Sequence, residues 1–234
     1  MALATATAEK ARTRAPAVVS AGRYAGIGGL VFAAALVVQN IIRARGPALN
    51  AAPGTVSSYF LHHRVAALIP LGMFPIEMLA FFAFVAGVWT CASRSENRWW
   101  ATMGVLGAAA IASLFALDNI IEIVLTAKAE TLVQSPSVVE VLWAVHAAAF
   151  GLDLAAIAVA LIGLSRAATT SALMPARLGA AVLPGAACLL LASVFTVSLT
   201  NGGPWLGVAL VGFLLWLVFM VATSISLLRT PQIP

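Results

Sequence analysis

Long apolar runs separated by short polar breaks organise this chain. A helix rises ~1.5 Å per residue and the hydrocarbon core of a bilayer is ~30 Å thick, so roughly 20 mainly apolar residues cross it. Six segments meet that requirement, approximately Tyr24–Ile42, Val65–Thr90, Trp99–Thr126, Val138–Ser165, Arg177–Thr200 and Pro204–Leu228. Ala, Leu and Val dominate them, without the two-residue alternation of barrel strands, so they read as helices. The breaks carry turn formers: Gly46-Pro47, Pro53-Gly54, Ser135-Pro136-Ser137, Thr169-Thr170-Ser171 and Asn201-Gly202-Gly203-Pro204. The expected fold is an all-α integral membrane protein, one six-transmembrane-helix bundle over residues 21–229. A disordered basic tail is expected over 1–20 and a short C-terminal tail over 230–234.

Composition agrees. Of 234 residues, 62% are hydrophobic and 9% charged, with mean hydropathy +1.02. Soluble domains carry about 25% charged residues, so lipid is the solvent for most of this chain. The net charge of +5 is then a matter of sidedness rather than of nucleic acid. With the N-terminus inside, Lys10, Arg12, Arg14, Arg23, Arg94, Arg98, Arg166, Arg177 and Arg229 are cytoplasmic, and Arg43, Arg45, Arg64 and Lys128 are outside. That split of nine to four places both termini in the cytoplasm. The first span resembles a signal sequence in following Lys10, Arg12 and Arg14, but no small-x-small cleavage site follows it, so an uncleaved helix is expected. The resulting expectation is a multi-pass protein of the bacterial plasma membrane. Cys91 and Cys188 lie at different expected depths and read as free thiols.

Ionisable side chains within a bilayer cost a few kcal/mol each on insertion scales and mark candidate sites. Here they are Glu77 in the second span, Asp118 and Glu122 beside Asn119 in the third, and His146 and Asp153 in the fourth. Gln39 and Asn40 add polarity near the outer end of the first span. Asp118 and Glu122 share a helix face at a spacing of four, as do His146, Phe150 and Asp153 at four and three. Counting rises from the span ends puts Asp118 and His146 roughly 12–14 Å deep, and Glu77 and Asp153 roughly 18–22 Å deep. If the third and fourth spans are antiparallel neighbours, these faces meet in an acidic pocket with one imidazole. Arg43, Arg45, His62, His63 and Arg64 would form its outer rim.

Two readings follow. The pocket binds or transports a small apolar or protonatable ligand, or the carboxylates pair with Arg43, Arg45 or Arg64 and merely lock the packing of an accessory or assembly subunit, its own or a partner's. Membrane lipids are the other expected partner. No metal site is expected, because HExxH and HxxxH spacings are absent and Asp153 lies ~10 Å along the helix from His146. No cofactor is expected either: Lys10 and Lys128 lie outside the spans and offer retinal no Schiff-base site, and haem would have only His146 with His62 or His63 as axial candidates. Small residues four apart, Gly22/Gly26, Gly151/Ala155, Ala181/Gly185 and Gly203/Gly207, favour close helix packing.

Several local patterns carry a resemblance: Arg23-Tyr24-Ala25-Gly26, Phe60 through Arg64, Trp143-Ala144-Val145-His146 with Phe150 and Leu152, and Met174-Pro175-Ala176-Arg177-Leu178-Gly179. Together they resemble an uncharacterised six-span membrane family of actinobacterial type, a domain of unknown function, and imply topology rather than activity. Pro75-Ile76-Glu77 with Phe81-Phe82 resembles a segment of the membrane-bound lycopene cyclases. That likeness implies a membrane-embedded enzyme in which Glu77 protonates an isoprenoid or other lipid, with intramembrane Asp153 as the alternative acid. Met78 stands where the cyclases carry a second acid, and their remaining motifs are missing.

Overall fold

The computed structural model describes residues 2–92 and 98–229, with side chains from residue 22 onward. The tails anticipated over 1–20 and 230–234, together with Arg94, fall outside the residues whose side chains are described. The helices are α1 (Ala2–Arg43), α2 (Pro53–His62), α3 (Arg64–Ala92), α4 (Arg98–Ala127), α5 (Ala129–Leu132), α6 (Pro136–Thr170), α7 (Ala176–Val194), α8 (Thr196–Thr200) and α9 (Trp205–Arg229), with no strand among the described residues. Six are long and apolar enough to cross a membrane: Gly22–Arg43 of α1, then α3, α4, α6, α7 and α9. The all-α six-span bundle expected from the sequence is therefore what forms.

Each span packs on the next in chain order, and α9 returns to α1, closing a ring in which α4 and α6 are the most extensively paired neighbours. Consecutive spans are antiparallel, so one face of the bundle gathers the end of α1, the start of α3, the end of α4 and the start of α6. The short helices α2 and α5 cover that face; α2 packs on α6, α5, α3 and α4. It opens on Pro53 in its first turn, where a missing N–H leaves no bond broken. The apolar-run criterion passes over such a short helix.

The fifth span differs from the expected single helix over Arg177–Thr200. It breaks at Phe195, where φ is −97° and ψ is 29°, and resumes as α8. The Thr196 hydroxyl donates to the Ser193 carbonyl at 2.6 Å, a local side-chain bond that competes with the helical ladder. Hydropathy continues through such a break unchanged.

The main core joins α1, α3, α4, α6, α7 and α9. Phe81 meets Trp216 with ring centroids 6.2 Å apart, and Phe84 meets Phe219 at 6.1 Å, clamping α3 to α9. A second cluster, including Val56, Phe60, Leu125, Val139 and Trp143, lies beneath α2. Helices α4 and α6 approach closely: a methyl placed on Gly163 would collide with the backbone of Gly104, and one on Gly107 would lie 2.5 Å from the Ala160 nitrogen. Of the expected small-residue pairs, Gly26 lies against α9 and Gly185 against Leu215 and Gly212, whereas Gly207 faces open space.

Candidate functional site

On α4, Phe115, Asp118, Asn119 and Glu122 form one stripe at spacings of three and four. On α6, Trp143, His146, Phe150 and Asp153 do the same. Antiparallel packing of α4 on α6 brings the stripes together near the α2 face. His146 Nε2 lies 3.2 Å from Glu122 Oε1, and Arg43 Nη2 donates to Glu122 Oε2 at 2.9 Å. Glu122 is thus held between a guanidinium and an imidazole, one oxygen to each. Arg43 Nη2 also lies 3.4 Å from Asn119 Oδ1, while Asn119 Nδ2 donates to the Phe115 carbonyl at 2.7 Å. The guanidinium carbon stands 5.5 Å from the centre of the Phe115 ring, within cation–π range, and Phe74 meets that ring edge-on at 5.3 Å.

The imidazole is held from the α2 side. Trp143 stacks on His146 with centroids 4.5 Å apart and planes 8° apart. Trp143 Nε1 donates to the Ala48 carbonyl at 3.0 Å, tying the ring to the loop after α1, and Phe60 of α2 meets Trp143 edge-on. Tyr59 completes the cover; its ring borders Gly46, and its phenol senses both Glu122 and Arg43. Burial, reinforced by the Glu122 charge and opposed by Arg43, raises its pKa above the ordinary 10.0.

Further from α2, carboxyl groups lack partners. Glu77 is fully buried on α3 with neither oxygen hydrogen-bonded, and Oδ1 of Asp118 and of Asp153 are likewise unpartnered, as is His146 Nδ1. Asp118 lies within electrostatic reach of His146, Arg43 and Glu122, Glu77 within reach of Arg43, and Asp153 within reach of Asp118. The cluster is packed shut. Glu77, Asp118, Asn119, Glu122 and His146 are all buried, and Asp153 is partly so. Arg43 has 26% of its side chain exposed, against 9% for Glu122.

The expected rim divides. Arg43 turns inward as the partner of Glu122, whereas Arg45, His62, His63 and Arg64 stay exposed, with the His63 ring against Tyr59. Arg43 is the last residue of α1, and the chain turns immediately after it, with Gly46 N–H donating to the Arg43 carbonyl. Arg45 lies within that turn and is exposed. Sequence reasoning did not assign Phe74, Phe115 or Trp143 to the site. Phe115 and Trp143 carried a usable signal, each lying three residues before an ionisable member on its own stripe. Gln39, one turn before Arg43, is buried and donates to the Pro70 carbonyl of α3 at 3.4 Å.

Among the described residues, no group of three or more His, Cys, Asp and Glu side chains is arranged to hold a metal ion. No family model, curated protein or solved structure matches this chain.

Proposed function

We propose that this chain is a multi-pass protein of the bacterial plasma membrane that binds or transports a small protonatable ligand through the Glu122 cluster. Both termini are cytoplasmic in this reading, on the strength of the nine-to-four division of basic residues. The α2 face, with Tyr59 and the exposed Arg45 and Arg64, is then the outer face. The observation that carries the reading is Glu122 held between Arg43 and His146, with unpartnered carboxyl oxygens of Asp118 and Glu77 nearby. Buried acids and imidazoles of this kind are the usual components of proton relays in membranes. A group held only by ion pairs would leave no carboxyl oxygen unsatisfied, and unpaired buried polar atoms are costly enough to call for a reason.

Infrared difference spectroscopy of the protein in lipid tests this. Reversible appearance of the carboxylic-acid carbonyl band on acidification, diminished in Glu122→Gln, supports the reading. A band identical in the wild type and Glu122→Gln over the whole range in which the protein stays folded removes proton exchange at Glu122 from the reading.

A second reading has its own support. Glu77 is fully buried with both oxygens unpartnered, in the segment resembling the lycopene cyclases. In this reading it is a general acid toward an isoprenoid or other lipid. Extraction of the purified protein for bound isoprenoids, with Glu77→Gln as control, separates it from the first: an isoprenoid retained by the wild type favours the enzyme.

A further inference from the structure

The cluster holds more acid than base. Glu77, Asp118, Glu122 and Asp153 face one permanent cation, Arg43, and one imidazole, His146. Oxygens of Asp118 and Glu77 are acceptors left without donors, and buried acceptors in that condition are costly. Phe115, braced by Phe74, supplies an aromatic face at cation–π distance from the guanidinium. Carboxylates beside an aromatic face recognise a small organic cation, rich in N–H donors and attracted to the ring quadrupole.

Arg43 is the group that now sits there. Its guanidinium holds Glu122 and Phe115 but leaves Nε buried and unpaired, an imperfect fit. It projects from the terminal residue of α1, just before the turn at Gly46, and a quarter of its side chain is exposed. Because Arg43 ends α1, withdrawing its side chain toward the α2 face breaks no helical turn within the bundle.

We propose that Arg43 is a tethered occupant of a site for a small organic cation, a primary ammonium or guanidinium, which displaces it from Glu122. This inference rests on the proposed role of the cluster as a ligand site and names the class of ligand. The exchange is one cation for another, so the buried charge of the cluster is conserved. Asp118, whose Oδ1 lacks a donor, is the second acceptor on the same face of α4.

The test uses the full-length protein in lipid nanodiscs, with methylguanidinium and ethylammonium as probes and methylurea as the neutral control for shape. Calorimetry is expected to show saturable binding of the cations and none of methylurea. Arg43→Gln removes the competitor and is expected to tighten binding by about tenfold or more, since occupancy by the tethered group lowers the competent fraction. Glu122→Gln is expected to weaken it by at least about tenfold. Absence of cation binding to the wild type and to Arg43→Gln overturns the proposal, as does equal binding of methylurea or weaker binding by Arg43→Gln. Should Arg43→Gln fail to fold, the wild-type comparison of methylguanidinium with methylurea decides. The infrared titration runs on the same samples. Titration without cation binding overturns the ligand class and leaves the proton reading standing; cation binding without titration does the reverse.

Discussion

The α4–α6 pair is two different interfaces on one pair of helices. Toward the Arg98 end of α4, Gly104 and Gly107 lie against Leu164, Gly163 and Ala160, with backbone nearly touching backbone. Toward the α2 face, Asp118, Asn119 and Glu122 meet His146 and Trp143, and Arg43 enters from α1. Small residues turn helix contact into dispersion and close fit, as membrane packing favours. Larger polar residues at the same register exchange that fit for a cluster of hydrogen bonds and charge. The first interface has no freedom to change, while the second contains unsatisfied groups and an accessible cation. A site in this bundle is therefore a place where small-residue packing has been given up.

The largest effect is expected from removing the shared acid. Glu122→Ala strands Arg43 and His146 together, and breaking a fully buried pair costs about 3–5 kcal/mol. The partial exposure of Arg43 brings the expectation to the lower end, about 3 kcal/mol. Reversible unfolding in mixed micelles measures it; a loss below about 0.5 kcal/mol, the range of ordinary surface changes, removes Glu122 from the energetics of the bundle.

Next comes the tight end. Gly163→Ala sets a methyl against the Gly104 backbone and the Trp100 carbonyl, neither of which is a flexible side-chain tip. Overpacking of this kind costs about 1–3 kcal/mol. Gly207→Ala, with nothing within 4 Å of the added carbon, is the matched control and is expected to stay within about 0.5 kcal/mol of wild type. Equal effects at the two glycines, read in the same unfolding assay, would erase the contrast between close-packed and open positions.

The smallest effect concerns the cover. Because Tyr59 ionises with more difficulty in the fold than its ordinary value of 10.0, its stabilising contribution is complete below that pH and is lost as pH rises through the raised value. In Tyr24→Phe, which leaves Tyr59 as the only one of two tyrosines, ultraviolet titration should give a midpoint above 10.0. A midpoint at or below it would remove Tyr59 from the buried cover over Glu122.

Much of this architecture was legible from residues alone, for a physical reason. Bilayer thickness fixes span length, so six spans could be counted. The spacings Asp118/Glu122 and His146/Asp153 define faces, and successive spans are forced to be antiparallel, so the meeting of Glu122 with His146 was foreseeable. The choice of Arg43 over Arg45 and Arg64 was not, because it depends on where α1 stops and turns. The pairing of Gly104 with Gly163 was equally hidden. With 18 glycines and abundant alanine, close spacings recur by chance, and only the register of α4 on α6 selects among them. Short α2, which supplies Tyr59 and Phe60, falls below the length at which apolar periodicity is informative.

In the proposed function the polar end of α4–α6 exchanges protons, while the glycine end is scaffold. Infrared pH titration of the wild type beside the Asp118→Asn/Glu122→Gln double variant tests it most directly. A reversible carboxylic-acid band is expected in the wild type, with the part contributed by Asp118 and Glu122, two of eight acidic residues, lost in the double variant. A wild-type band that is absent, or one of equal amplitude in both proteins, would contradict it.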